Sequence, residues 1–159
     1  MKKALIFCAL IALAFVSCSK PMASAKVAKD VQYYSHTYAA NANDTYYAVR
    51  WALKEVGMPV ATEDLNAGII TTKWEPATSD SHYVDTFGRP DYGVTNSYHQ
   101  LEVQISTDQG RSLVKVGSRI KALAARVKSS GVMERKVLEA AGNFLRNAEP
   151  DVTNLGINE

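Results

Sequence analysis

Residues 43–75 constrain the fold more than any other stretch, because they join an amphipathic helix to two strands. Asn43-Asp44-Thr45 opens the helix, and Gly57, which suits the left-handed position after a helix end, closes it. Four apolar residues recur at helical spacing and are predicted to face a sheet: Tyr46, Val49, Leu53 and Val56. Strands are then predicted over 58–62 and 68–74. One face of the second strand would carry Ile70, Thr72 and Trp74.

The composition predicts one small globular domain. Hydrophobic residues make up 47% of the 159 residues and charged residues 21%, which permits a real core. Without residues 1–17, which include Lys2 and Lys3, the chain carries 16 basic and 16 acidic groups, since 18 − 2 = 16. This balance argues against nucleic acid as a partner, because phosphate binding needs an excess of Lys and Arg.

The N-terminus predicts a secreted and lipidated protein. Lys2-Lys3 precedes an apolar stretch over 4–16, which is too short to span a bilayer and is typical of a signal peptide. The stretch ends in Phe15-Val16-Ser17-Cys18, which resembles the bacterial lipobox. We therefore predict a signal peptide over 1–17 and acylation, for example with palmitate, at Cys18. The alternative is a plain secretory signal that ends in a chance Cys.

The second cysteine favours lipidation over that alternative. Cys8 lies inside the predicted signal peptide, so the mature chain would hold a single Cys, at its first position. That Cys has no second cysteine with which to form a disulfide. Ser19 after the Cys fits outer-membrane sorting in many Gram-negative bacteria. The resemblance thus implies an outer-membrane lipoprotein that faces the periplasm and has the membrane as one partner.

The remaining chain divides into a tether, a domain and a tail. Residues 18–30 are small, polar and basic, and we predict a flexible tether there. A single domain is predicted over 31–148, beginning with a strand within 31–40, and a disordered tail over 149–159. The segment 120–128 fits either a helix or the end of a strand. A last helix begins near Ser130 and ends before Pro150.

A β-hairpin over 97–121 has a register that the pattern selects. Pairing Thr107 with Ser112 sets Ile105 opposite Val114 and gives one consistently apolar face, whereas a one-residue slip mixes the faces. The outer face would then place Glu102 diagonal to Arg119, as a solvated sheet surface.

The element order predicts an α+β fold with an antiparallel four- to five-stranded sheet packed on two helices, in the order β-α-β-β-β-β-α. A family resemblance covers about residues 46–74. It is carried by Val49-Arg50-Trp51-Ala52-Leu53-Lys54-Glu55-Val56-Gly57, Val60, Asp64, Gly68-Ile69-Ile70-Thr71-Thr72 and Trp74. These residues resemble the helix-grip repeat of BamC-type lipoproteins, accessory subunits of the machinery that assembles outer-membrane β-barrel proteins. Proteins of that family have two such domains, whereas this chain has room for one.

A long loop over 77–96 is the predicted binding element. It exceeds the usual hairpin connection and carries residue types enriched at interfaces: Tyr83, Phe87, Arg89 and Tyr92. The alternative is that these rings complete the core of the domain. Trp51, which shares a helix face with Tyr47, is a further candidate for partner binding unless it packs on a sheet edge.

The sequence nominates no catalytic, metal or cofactor site. It contains no phosphate loop, nucleophile elbow, HExxH or paired-Cys motif, so we do not expect an enzyme. Asp80, His82, Asp85 and Asp91 match no compact ligand spacing, and His99 is predicted to be a core histidine. The expected function is a non-catalytic interaction module that binds an envelope protein. The alternative is a lipoprotein that holds a lipid or another apolar ligand between helix and sheet.

Overall fold

A computed structural model describes residues 26–27, 31–92, 96–123 and 126–147, with the backbone alone for residues 26–27. Within these residues the chain forms two helices and ten strands in an α+β arrangement, and every strand pair is antiparallel. The strands are β1 (Lys26–Val27), β2 (Tyr33–Tyr38), β3 (Val60–Asp64), β4 (Ile69–Thr72), β5 (Glu75–Pro76), β6 (His82–Thr86), β7 (Arg89–Tyr92), β8 (Tyr98–Asp108), β9 (Arg111–Ala122) and β10 (Val127–Ser129). The helices are α1 (Ala42–Glu55) and α2 (Val132–Asn147).

The strands form a large sheet and a small one. The large sheet has seven strands in the order β1-β9-β8-β4-β3, with β2 also paired to β9 and β5 also paired to β8. The small sheet has the order β10-β6-β7. The predicted antiparallel sheet with two helices is confirmed. The prediction of four to five strands was too low, because short strands share the edges of β8 and β9 and because the small sheet was not foreseen.

The first helix begins and ends as its local sequence requires. The Asn41 side chain accepts a hydrogen bond from the Asp44 backbone N–H at 2.9 Å and caps α1. Gly57 follows the helix with a φ of +75°. Along the predicted inner face, Tyr46, Val49 and Leu53 are buried and Val56 is half-buried against the core.

The second strand of the first hairpin is shorter than predicted. β4 ends at Thr72, so Ile70 and Thr72 are buried as predicted, but Trp74 is exposed and the prediction for it was wrong. Thr72 stays inside because its hydroxyl accepts a hydrogen bond from the Leu101 backbone N–H at 2.9 Å. Gly68 crosses close to β8, where an added Cβ would lie 2.2 Å from the Ile105 carbonyl oxygen. Only glycine fits this approach.

The long hairpin of β8 and β9 has the predicted register. Thr107 pairs with Ser112 and Ile105 with Val114. On the outer face the Arg119 guanidinium donates to the Glu102 carboxylate at 2.5 Å. Burial raises the pKa of Glu102, but hydrogen bonds from Tyr33 and Gln104 and the charge of Arg119 outweigh it, so the pKa is lowered overall.

The second helix closes the core from the same side as α1. The Tyr38 hydroxyl of β2 donates to the Leu138 carbonyl at 2.5 Å, and burial raises the pKa of Tyr38 to about 12. The main core contains 17 buried hydrophobic side chains from both helices and five strands or connections, among the described residues: Tyr38, Tyr46, Ala48, Val49, Ala52, Leu53, Met58, Ile70, Leu101, Val103, Ile105, Val114, Val116, Met133, Val137, Leu138 and Ala141.

The described parts of the segment that fitted two interpretations contain strands. β9 continues to Ala122, and β10 begins at Val127 and lies beside β9. The strand-end interpretation of 120–128 is therefore the one that the structure supports. Part of the predicted tether is also ordered into the sheet, because β1 pairs with Lys121 and Ala122. Cys18, the predicted signal peptide and the predicted tail lie outside the described residues.

Candidate functional site

The predicted binding loop contains a β-hairpin. Tyr83 of β6 pairs with Tyr92 of β7, and Thr86 pairs with Arg89. This pairing leaves the two-residue turn Phe87-Gly88. Both turn residues have positive φ, +52° for Phe87 and +79° for Gly88, as a type I′ turn requires. The Asp85 carboxylate accepts a hydrogen bond from the Gly88 N–H at 2.9 Å and helps to close the turn. The long loop predicted over 77–96 therefore contains a regular β-hairpin, whose pairing the sequence did not predict.

The rings of this hairpin do not complete the main core. Phe87 stands at the tip with its side chain fully exposed, and Tyr92 is more than half exposed. Tyr83 is half-buried, and its ring lies 5.7 Å from that of Tyr92. Arg89 is exposed beside the tip. The structure thus brings four of the five predicted binding residues together on one projecting element.

Trp51 lies elsewhere on the molecule. Its ring packs on Phe144 of α2 with a centroid distance of 5.1 Å, so it contributes to helix–helix contact rather than to a sheet edge. Phe144 is near the C-terminal end of α2, whereas the hairpin adjoins the segment that precedes the start of α2. A separate open groove beside α1 is lined by Tyr47, Trp51 and Met58. Trp51 therefore does not share a surface with the hairpin, and its role in partner binding stays a prediction.

Polar contacts fix the base of the hairpin to the start of α2. The Ser130 hydroxyl donates to the Asp80 carbonyl at 2.6 Å, and the Ser130 N–H donates to the Ser81 carbonyl at 3.0 Å. The Ser129 hydroxyl donates to the Glu134 carboxylate at 2.6 Å. Glu134 is fully buried in the first turn of α2, where the positive end of the helix dipole favours a carboxylate. The hairpin is therefore attached at its base while its tip projects.

Two buried histidines lie beneath the hairpin. His82 begins β6, and its Nδ1 is 3.1 Å from the Ser81 hydroxyl. His99 is buried in β8 as predicted, and burial, with a smaller effect from His82, lowers its pKa. Among the described residues, no three His, Cys, Asp or Glu side chains are close enough together to hold a metal ion. The same residues include no helix that is long and apolar enough to cross a membrane.

A small apolar cluster joins the hairpin to the end of the large sheet. Ile120, Ala122 and Val127 are buried together, and Val84 packs against them. Sequence reasoning missed this cluster because β6 and β10 are short and lie about 40 residues apart in the chain. β6 runs from buried His82 through half-buried Tyr83 and Val84 to exposed residues, so its burial does not alternate, and Pro90 in β7 argued against a strand there. Pro90 is tolerated because β7 is an edge strand of the small sheet.

Comparisons with known proteins leave the family of the chain open. No family model and no curated protein matches it. Among solved structures, truncated norcoclaurine synthase from Thalictrum flavum is 12% identical, with a TM-score of 0.40 over 77% of this chain and 95% of that one. A putative uncharacterised protein from Rhizobium leguminosarum is 12% identical, with a TM-score of 0.39 over 78% of this chain and 97% of that one. A DUF4468 family protein from Bacteroides ovatus is 14% identical, with a TM-score of 0.33 over 84% and 95%.

These likenesses are too distant to carry an argument about function.

Proposed function

We propose that this chain is a periplasm-facing lipoprotein of the outer membrane that acts as a non-catalytic interaction module in envelope or outer-membrane protein assembly. Cys18 carries the lipid, and the hairpin of β6 and β7 binds an envelope protein. The charged start, the short apolar stretch and the lipobox-like Phe15-Val16-Ser17-Cys18 support the membrane anchor. A relation to BamC-type helix-grip domains belongs to this proposal, and the order of α1, β3 and β4 after a first strand supports it.

The fully exposed Phe87 at the hairpin tip is the observation that carries the binding role. A type I′ turn favours Asn or Gly at this position, and a bulky residue at positive φ is strained. The ring also gains nothing from burial, because it contacts no core. Residues that are both strained and exposed concentrate at functional sites, where a partner compensates for their cost.

A ligand cavity is the weaker candidate. Leu53, Ile70 and Val103 are fully buried between helix and sheet, so side chains occupy the space that a ligand would need. Gly117, a small residue, pairs with Glu102 of the outer face. A Cβ at Gly117 would meet the side chains of Val31 and Tyr33 at 2.6 and 2.9 Å. No observation on the described residues favours the apolar-ligand function over the interaction module.

The lipid anchor is tested at Cys18. The native protein, expressed in a Gram-negative host, is expected to show the mass of an acylated mature chain beginning at Cys18 and to sediment with membranes, since two or more acyl chains hold a protein stably. Cys18→Ala should lose the acyl mass and leave the membrane fraction or accumulate as precursor. An unmodified native chain would contradict the proposal.

The binding role is tested with a double variant at the hairpin. Phe87→Ser/Tyr92→Ser removes two exposed rings without opening the main core, so the unfolding midpoint should stay close to that of the native protein. Cross-linking in cells should then lose the envelope proteins that the native chain captures. The matched control is Leu65→Ser/Ile69→Ser, which removes two exposed apolar side chains, one between β3 and β4 and one at the start of β4. Equal capture by both variants would contradict the assignment of the hairpin.

A further inference from the structure

The chain enters the large sheet at one end, and three exposed apolar side chains lie at that end. β1 runs antiparallel to the last two residues of β9, with Lys26 opposite Ala122. Tyr98 begins β8 opposite Lys121, and it pairs on its other side with Pro76. Trp74 lies two residues before Pro76, and Leu123 follows β9 directly. We call the surface of Trp74, Tyr98 and Leu123 the apolar end.

The side chains of the apolar end are partly exposed to water. Their exposed fractions are 36% for Trp74, 45% for Tyr98 and 60% for Leu123. Tyr and Trp combine an apolar ring with a polar group and are enriched where a protein meets the lipid–water interface. Trp and Leu are also the residues that peripheral elements bury among acyl chains. The composition of this end therefore fits a bilayer surface.

The covalent path from Cys18 limits how far the apolar end can stand from the membrane. Lys26 lies eight positions after Cys18, and an extended chain spans at most about 3.6 Å per residue, which gives roughly 30 Å. Because Lys26 pairs with Ala122 beside the apolar end, this end of the domain is the one nearest to the anchor. The opposite end, with the turn between β3 and β4, lies a sheet length further away.

The hairpin projects from the same end. β10 runs back from the end of β9 toward α2, whose start lies against the Tyr34 ring, since a Cβ on Gly131 would be 2.3 Å from that ring. β6 is antiparallel to β10, so it runs outward from buried His82 to the tip at Phe87. The tip therefore points away from the large sheet at the end where β1 enters it.

Charge does not oppose contact with lipid. The exposed charged side chains on and beside the small sheet are nearly balanced: Arg89, Lys121, Arg126 and Lys128 against Asp80, Asp85 and Asp91. Lys128 and Asp85 form an ion pair at 3.4 Å. A balanced surface gains little from anionic headgroups, so burial of apolar side chains would supply the attraction.

We propose that the apolar end rests on the lipid bilayer that holds Cys18, so that the hairpin meets its partner at the membrane surface. This inference rests on the proposed lipid anchor. It adds that the partner of the hairpin is a protein in or on that membrane. The occupant of the apolar end itself is lipid. A second copy of the chain and a soluble partner are the competing occupants.

The two tryptophans provide a direct test. Trp74 belongs to the apolar end, and Trp51 packs on Phe144 away from it. The full lipidated chain is placed in phosphatidylcholine vesicles with brominated acyl chains, as a Trp51→Phe variant that reports on Trp74 and as a Trp74→Phe variant that reports on Trp51. Trp74 emission should be quenched and shifted to the blue, while Trp51 emission stays unchanged.

A double variant tests whether the other two residues of the apolar end contribute to the contact. On the Trp51→Phe background, Tyr98→Ser/Leu123→Ser should reduce the quenching of Trp74, whereas Leu65→Ser/Ile69→Ser at the opposite end should not. The quenching should also persist at high salt, because phosphatidylcholine carries no net charge and burial of apolar side chains supplies the attraction. Quenching that is lost at high salt would overturn the proposal that apolar burial holds the contact.

The remaining outcomes separate this inference from the proposed anchor. If the chain floats with the vesicles but Trp74 is not quenched, the bilayer contact is overturned and the anchor stays intact. Equal quenching of Trp74 and Trp51 in their two variants has the same meaning. A chain that carries no acyl mass and does not float overturns both. Protection of Trp74 that rises with protein concentration in the absence of vesicles would identify a second copy as the occupant and overturn the inference.

Discussion

The two sheets of this protein are stabilised in different ways. The large sheet packs against α1 and α2, and among the described residues 17 buried hydrophobic side chains form its core. The small sheet packs Val127 of β10 and Val84 of β6 against Ile120 and Ala122 of β9, and it depends on hydrogen bonds from Ser130 to the chain before β6. Burial of apolar surface is the main stabilising term in folding, so the large sheet determines whether the chain folds.

This difference shows which part of the domain can change without affecting the rest of the fold. A residue in the large core affects many neighbours, whereas the tip of the small sheet contacts almost nothing of its own chain. Elements with few buried contacts open locally with little effect on the rest of the molecule, and binding elements are drawn from them. The hairpin is in this sense the part of the domain most available for a partner.

The largest expected effect comes from the large core. Leu53 is fully buried in α1, so Leu53→Ala should lower the free energy of unfolding by about 2–5 kcal/mol, as truncation of buried aliphatic side chains does. Urea denaturation measures it. Leu65→Ala, at an exposed position between β3 and β4, is the control and should change the free energy little. Equal midpoints for both variants would mean that α1 does not pack as described.

The sequence predicted the large sheet well because its signals are local and periodic. Helical spacing from Tyr46 to Leu53 identified the inner face of α1, and alternation in β8 and β9 selected the observed register, Ile105 opposite Val114. Trp74 was misplaced because alternation along β4 does not show where the strand leaves the sheet.

The small sheet was not predicted because its pairing is not local. β6 pairs with β10, and neither strand is longer than five residues. Phe87 also stands where a type I′ turn favours Asn, so the local sequence conflicts with the local structure. Such conflicts between local preference and global fold are expected at functional sites. The four candidate residues of the hairpin were identified from their chemistry, while their arrangement was not.

A smaller effect is expected from the cluster beneath the hairpin. Val127 is buried between β6 and β9, and Val127→Ala removes two carbon atoms there, which should cost about 1–2 kcal/mol at ~0.8 kcal/mol for each buried CH2. Hydrogen exchange should show faster exchange in β6 and β7 and little change in β8. Val103→Ala is the contrasting variant, since Val103 is buried in the large core and its loss should accelerate exchange throughout. Uniform acceleration by both would show that the two sheets unfold as one unit.

The smallest effect, and the most informative, is expected at the two turns. Phe87-Gly88 and Gln109-Gly110 both connect paired strands in two residues, and all four residues have positive φ. Asn tolerates this conformation better than Phe or Gln, which lose roughly 1–2 kcal/mol in the left-handed region. Phe87→Asn and Gln109→Asn should therefore each raise the free energy of unfolding by up to about 1 kcal/mol.

The two variants should differ in binding. Gln109→Asn changes a turn at the far end of the large sheet, so it should gain stability and keep every cross-linked envelope partner. Phe87→Asn should gain similar stability and lose the partner, because the exposed ring is removed while the turn is relaxed. That combination would mean that Phe87 is kept at the expense of stability, as a strained residue at a binding site is. If Phe87→Asn instead lowers the unfolding midpoint, the ring packs within the domain. The tip of the small sheet would then contribute to folding stability, as the core of the large sheet does.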